Sequence, residues 1–198
     1  MKCLIVKAHP LPESLCSTLT QQATAVLQDK GHTVELEDLY AQHFDGALTE
    51  AERHSYYSGP YSSQQVASQI KRLLEAEAVV LVFPTWWFSF PAILKGWFDR
   101  VWAPGIAYDH ADEYGPIKPR LTQLRHILAI TSLGSPWWVD RLVLRQPVKR
   151  VLKTAIVGTC APQCRFEMVS LYRSEQLSSG QVEQFSASVS GLLQRWPV

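Results

Sequence analysis

Three short stretches of the chain hold residues whose types and spacing could do chemistry. The first is His9-Pro10-Leu11-Pro12-Glu13-Ser14-Leu15-Cys16-Ser17, a turn of small polar side chains that runs into a helical pattern. Unpaired N–H groups and the positive end of a helix dipole would gather there, which favours an anion such as a phosphate. Neither GxGxxG nor GxxxxGKS occurs, so the dinucleotide cradle and the P-loop are both excluded. Capping of the helix by Ser14, Cys16 or Ser17 with no ligand is the competing reading. His9 either meets the anion or simply orients the loop. The second stretch, Pro84-Thr85-Trp86-Trp87-Phe88-Ser89-Phe90-Pro91, places four aromatic residues in five positions. On a surface loop such rings call for a flat occupant or a partner chain, although core packing is the alternative for any one of them. The third stretch is Thr131-Ser132-Leu133-Gly134.

Other chemistries find little support. His43, His54, His110 and His126 are dispersed, without HxxxH or a Cys/His cluster, so no metal site is expected. Ser135 lacks the GxSxG setting of a hydrolase nucleophile. Cys3, Cys16, Cys160 and Cys164 form no disulfide framework and no CxxC, and reduced structural thiols are expected. The net charge of +1, with no run of like charges, argues against nucleic acid and points to a small-molecule partner. No secretory signal and no membrane-spanning apolar run is visible, so a cytoplasmic location without membrane insertion is expected.

The elements that must position these stretches alternate between strand and helix. Lys2 to Ala8, Thr33 to Asp38, Ala78 to Phe83, Arg125 to Thr131 and Arg165 to Tyr172 read as strands. Helical spacing covers Ser17 to Lys30, Ser63 to Ala76, the stretch from Pro91 to Val101, Val139 to Ala155 and Ser179 to Arg195, with a short helix at Thr49 to Tyr56. Residues 103 to 120 are a long Pro/Gly/Tyr-containing excursion, which suggests a functional or interfacial segment. At 198 residues, 46% of them hydrophobic, the chain suits one domain. The expectation is an α/β doubly wound, five-stranded parallel sheet of order 2-1-3-4-5. In such a sheet ligands bind beyond the carboxyl ends of the strands, where the first and third strands diverge, and the three stretches above fall there.

The run Phe83-Pro84-Thr85-Trp86-Trp87-Phe88-Ser89-Phe90-Pro91-Ala92-Ile93-Leu94-Lys95-Gly96-Trp97-Phe98-Asp99-Arg100-Val101 resembles the NAD(P)H:quinone oxidoreductase family, which has the flavodoxin-like fold. The Ala8-His9-Pro10 start with Ser14-Leu15, the segment Gly31 to Tyr40, and Gly105-Ile106-Ala107-Tyr108 are similar as well. The likeness covers about residues 2 to 135 and weakens in the C-terminal third. It implies a flavin that takes hydride from NADH or NADPH and passes two electrons to a quinone-like acceptor in ping-pong fashion. It also implies that His9, Ser14, Leu15 and Cys16 hold the flavin phosphate and ribityl end. Pro84, Thr85, Trp86, Trp87 and Phe88 would line the ring system, and Thr131, Ser132, Leu133 and Gly134 would aim N–H groups at its pyrimidine side. Trp87 and Tyr108 are the implied catalytic residues, with Tyr108 closing the acceptor pocket from the neighbouring subunit of a homodimer.

Departures from the family pattern matter too. Leu133 replaces a frequent second glycine, and Val139, Arg141 and Arg145 stand where animal enzymes place a tyrosine and a histidine, so no proton donor is assigned. Trp137 and Trp138 either reshape that side of the pocket or pack in the core or an interface. The end at Val198, short of the extension of the animal enzymes, favours FMN over FAD. Lys149, Arg150 and Lys153 read as a solvated helix face, with contact to a nicotinamide phosphate as the alternative. Two other functions remain open: an ancillary regulatory subunit in peripheral contact with a potassium efflux channel, and an azo- or nitro-reductase.

Overall fold

The apolar run at the N-terminus forms β1 (Lys2–Lys7), which pairs in parallel on both sides, with β2 (Thr33–Asp38) and β3 (Ala78–Pro84). The chain is described by a computed structural model over residues 1–111 and 115–197. β3 continues the ladder to β4 (His126–Leu133), and β4 to β5 (Arg165–Tyr172), giving one parallel sheet of order β2-β1-β3-β4-β5. The expected order is thereby borne out. β3 is buried throughout, as a central parallel strand covered on both faces must be.

Alternation along the strands divides the core into two layers. Leu4, Val6, Leu81 and Phe83 face α3 (Ala67–Glu75) and α4 (Ala92–Val101), where they meet Ile70, Leu73, Leu94 and Trp97. Cys3, Ile5, Val80 and Ile130 face α1 (Leu15–Asp29), meeting Leu19, Ala23 and Leu27; the C-terminal helix Ser179–Gln194 adds Val189 and Leu193 to that layer. α2 (Glu50–Ser55) opens with a capping box between Thr49 and Glu52. Gly96 on α4 allows a close approach to the preceding loop: a Cβ there would lie 2.1 Å from the carbonyl oxygen of Gly46.

Several boundaries differ from expectation. α1 starts at Leu15, because the Ser14 side chain accepts from the Ser17 N–H and sets the cap. Ser63 to Ala76 opens as a tight 3₁₀ turn, Gln64–Val66, before α3. β4 runs on to Leu133 rather than ending at Thr131. The single helix expected over Val139 to Ala155 is two pieces. A wide turn, Val139–Val143, ends at Arg145 and Gln146, both with positive φ, and α5 then starts at Pro147 and runs through Val151–Val157 to Gly158–Cys160. Pro147 causes the break, since a proline disfavours the helical conformation of its predecessor. Within 103–120, Tyr108–Asp109 pairs antiparallel with Lys118–Pro119. Among the described residues no helix is long and apolar enough to cross a membrane. All four cysteines are unpaired, and burial pushes the Cys16 thiol up to about 11.

Two histidines stand at the opposite, amino edge of the sheet. His32 is buried beside the Met1 ammonium, which lies 3.2 Å from its Nδ1. His126 stacks on Trp196 at 5.2 Å and leaves its Nδ1 without a partner among the described residues. Burial, with the neighbouring positive charges, lowers both imidazoles below their ordinary range. The folded state therefore resists protons that the unfolded chain accepts below about pH 6.5, so stability is complete above that value and is lost as the pH falls. Urea midpoints measured from pH 7.5 down to 5 should decline, and the decline should be shallower in His32→Gln. A flat profile in the wild-type chain would refute this.

Candidate functional site

The anion-seeking loop is built as its sequence suggests. Ser14 takes an extended cap conformation, with φ −156° and ψ 161°, and its Oγ accepts from the Ser17 N–H at 3.2 Å. The N–H groups of Leu15 and Cys16 then find no partner among the described residues. The Cys16 side chain is buried in the core, so this residue can offer a ligand its backbone alone. His9 Nδ1 lies 3.1 Å from the Leu11 nitrogen, whose N–H donates to it, and 3.3 Å from the Leu11 carbonyl oxygen. That bond ties the loop together, and the His9 ring lies 6.4 Å from that of Trp86.

The aromatic loop is a strained turn. Trp86 and Ser89 exchange backbone hydrogen bonds of 3.2 and 2.9 Å, while Trp87 and Phe88 between them carry φ values of 50° and 53°. These are the signs of a type I′ turn, normally the province of glycine and asparagine. Each bulky residue held in this region costs roughly 1–2 kcal/mol. The turn leaves Trp87 98% exposed and Trp86 43% exposed, and the N–H groups of Trp87 and Phe88 have no partner among the described residues. Phe90, by contrast, is buried between Phe83 and Phe98 and belongs to the core. Thr85 anchors the turn to β4: its N–H donates to the Ser132 carbonyl at 2.8 Å, and its Oγ1 lies 2.7 Å from that of Thr131.

A cleft of about 450 Å³ opens at this sheet edge, with Pro84 to Trp87 on one side and Ser132 to Gly134 on the other. Thr131, Ser132 and Leu133 belong to the buried end of β4, so only Gly134 of the third stretch is loop. Its N–H is unpartnered among the described residues, and a Cβ there would stand 3.0 Å from the Glu175 Oε1. Ser174 and Glu175, which line the far end, were missed by sequence reasoning. The signal available was that the loop after the fifth strand leaves from the same sheet edge. Also missed was Lys7, whose Nζ lies 2.7 Å from Asp38 and 3.2 Å from the Ser17 Oγ.

Other expected residues lie elsewhere. Tyr108 lines a separate cleft of about 510 Å³ with Tyr56, Tyr57, Trp102 and His110. Burial raises its phenol above the ordinary range. Arg141 donates to the Tyr172 hydroxyl at 3.2 Å and covers that ring, and Tyr172 donates to Asp140 at 2.9 Å. Trp137 and Trp138 are about half exposed, so neither is core.

The flavodoxin-like fold family matches residues 1–195. The chain belongs to that family. This flavodoxin-like protein is 35% identical over 152 residues to NAD(P)H dehydrogenase (quinone) 1 of Cavia porcellus, a stretch covering 68% of this chain and 54% of that protein. The matched stretches span between about half and two thirds of the length of such curated relatives. A crystal structure from Streptococcus mutans superposes with a TM-score of 0.86 at 28% identity, covering 99% of this chain and 100% of that one. An FMN-dependent NADH-azoreductase from Bacillus anthracis, solved in complex with FMN, has a TM-score of 0.75 at 19% identity, covers 98% of each chain, and speaks to fold alone. The likeness to the curated relatives bears out the resemblance read around Phe83 to Val101.

Proposed function

We propose that this flavodoxin-like protein is a flavin-dependent NAD(P)H oxidoreductase that delivers two electrons to flat, quinone-like acceptors. The observation that carries this reading is a set of N–H donors without partners among the described residues, at Leu15 and Cys16 after β1 and at Trp87, Phe88 and Gly134 after β3 and β4, beyond the carboxyl ends of three neighbouring strands where a cleft is edged by exposed indoles. The donor set fits the group. Leu15, Cys16 and Ser14 would take the phosphate, and the peptide N–H groups of Trp87, Phe88 and Gly134 would face the polar rim of the ring. When bound, a flavin supplies reversible hydride acceptance. The protein's share is orientation and charge stabilisation: fixed N–H dipoles favour the negative charge that builds on reduction. Trp86 and Trp87 exclude water and present flat surface to nicotinamide and acceptor in turn. Tyr108, which lines a separate cleft of its own chain, would reach the acceptor pocket of a second copy, which makes a homodimer part of the proposal. FMN is the preferred cofactor, with FAD as the alternative. A cleft open to flat molecules suits azo acceptors by the same means.

The test is an absorbance titration. Purified protein should carry or take up flavin, bleach anaerobically with NADH or NADPH, and recolour with a benzoquinone, with little semiquinone released in rapid mixing. Failure to bind either flavin, or appreciable one-electron product, would overturn the assignment.

A further inference from the structure

Lys7 breaks the pattern of the strand that carries it. On β1 the residues Cys3 and Ile5 point to the α1 layer, and the alternation puts Lys7 on that same face, where it is only 7% exposed. Its ion pair with Asp38, at 2.7 Å, does not explain the choice. Buried pairs seldom recover their desolvation, and an apolar residue would serve the sheet as well or better. Local violations of this kind tend to mark function.

The hydrogen bonds show where the ammonium is directed. An ammonium only donates, so the contact of 3.2 Å makes the Ser17 Oγ an acceptor. The Ser17 and Ser14 Oγ atoms lie 3.1 Å apart and either hydroxyl is able to donate; an ammonium on Ser17 polarises its O–H and so favours the orientation in which Ser17 turns its hydrogen to Ser14. That oxygen also accepts the Ser17 N–H at 3.2 Å, so in this orientation both of its lone pairs are engaged. What Ser14 then has left is a hydroxyl hydrogen, beside the N–H groups of Leu15 and Cys16, which have no partner among the described residues. A ligand at this point meets these donors.

We infer that Lys7 is a positioning residue which, acting through Ser17, fixes the Ser14 hydroxyl as a donor and makes the start of α1 selective for a terminal phosphate dianion. The inference rests on the flavin reading above and deepens it: the preferred cofactor is the phosphate monoester FMN, over riboflavin and over the singly charged diester phosphates of FAD. Charge-assisted hydrogen bonds are the strong ones, so the preference should be large.

Fluorescence titrations of flavin-stripped full-length protein with FMN, riboflavin and FAD test this. Lys7→Met should lose at least tenfold in FMN affinity while riboflavin affinity moves less than twofold, erasing the wild-type preference. Lys7→Met combined with Asp38→Asn should show the same selective loss, which separates it from the effect of an orphaned carboxylate. Ser17→Ala leaves the buried charge and the capping N–H in place, and should lose FMN selectively too; it keeps the test available if Lys7→Met does not fold. Equal losses for FMN and riboflavin, or an unchanged FMN affinity, overturn the role of Lys7 while leaving the flavin reading intact. Wild-type protein that binds no flavin overturns both.

Discussion

Trp87→Gly should make the protein more stable and a poorer catalyst. The indole is 98% exposed, so its removal forfeits almost no packing, whereas the φ of 50° is relieved at once. Escape from a left-handed conformation returns roughly 1–2 kcal/mol. The freer unfolded glycine takes back about 0.5–1. A net gain of up to about 1.5 kcal/mol remains, a rise of a few degrees in Tm. Activity should move the other way. A ring contributes about 0.5–1.5 kcal/mol beyond its buried area where it stacks on another π-system. With that area added, kcat/KM for NAD(P)H and a benzoquinone should fall by about tenfold or more, with FMN still bound through the other donors. Trp87→Asn, which tolerates the same conformation, should behave alike. Lower stability together with unchanged kcat/KM would mean that the indole is structural and the strain has no catalytic counterpart.

That turn also shows where sequence reasoning reaches and where it stops. The three central strands, β1, β3 and β4, were legible because buried parallel strands read as near-continuous apolar runs, and α1 because Ser14 and Gly31 punctuate it. The aromatic loop was legible as a composition. Its division of labour was not: Phe90 and Trp87 look equivalent on paper, yet one fills the core and the other stands in solvent. Only the backbone separates them, and no glycine advertises a type I′ turn there. The break at Gln146 had a signal in Pro147, masked by apolar periodicity that runs across it. Glu175 comes to Gly134 through the pairing of β4 with β5, a non-local contact that no window of sequence contains. Lys7 reads as the polar end of a strand, and its burial becomes apparent only once α1 and Asp38 close over it. The acceptor was never in the residues themselves; it came from family resemblance.

The largest loss of stability should follow Glu52→Ala. Glu52 and Arg100 form a fork in the interior, with side chains 2% exposed and contacts of 3.0, 2.9 and 2.7 Å from the Nε and an η nitrogen of Arg100. Burial alone would raise the Glu52 carboxyl, but the Arg100 guanidinium and the Thr49 N–H outweigh it and hold the group below its ordinary range. Truncation strands a buried guanidinium, breaks the capping box of α2 and opens a void. Breaking such a pair typically costs about 3–5 kcal/mol. The damage should also reach the cleft, because Arg100 lies on α4, the helix that follows the aromatic turn. The segment before α3 is tied to the same helix: Tyr61 donates to the Arg100 carbonyl at 2.9 Å. Urea unfolding should therefore give a large drop for Glu52→Ala and a smaller one for Glu52→Gln. Replacing both partners with apolar residues, Glu52→Leu with Arg100→Met, should recover much of the loss, since no charge is left unpaired. The depressed carboxyl also means that the pair's stabilisation is present above about pH 4.5 and is lost as the pH falls through the lower folded value, so the wild-type advantage over Glu52→Gln should shrink in acid. A loss below about 1 kcal/mol for Glu52→Ala at neutral pH would show that solvent reaches the guanidinium, and that the segment from Asp45 to Gln65 contributes little to holding α4 and the turn above it.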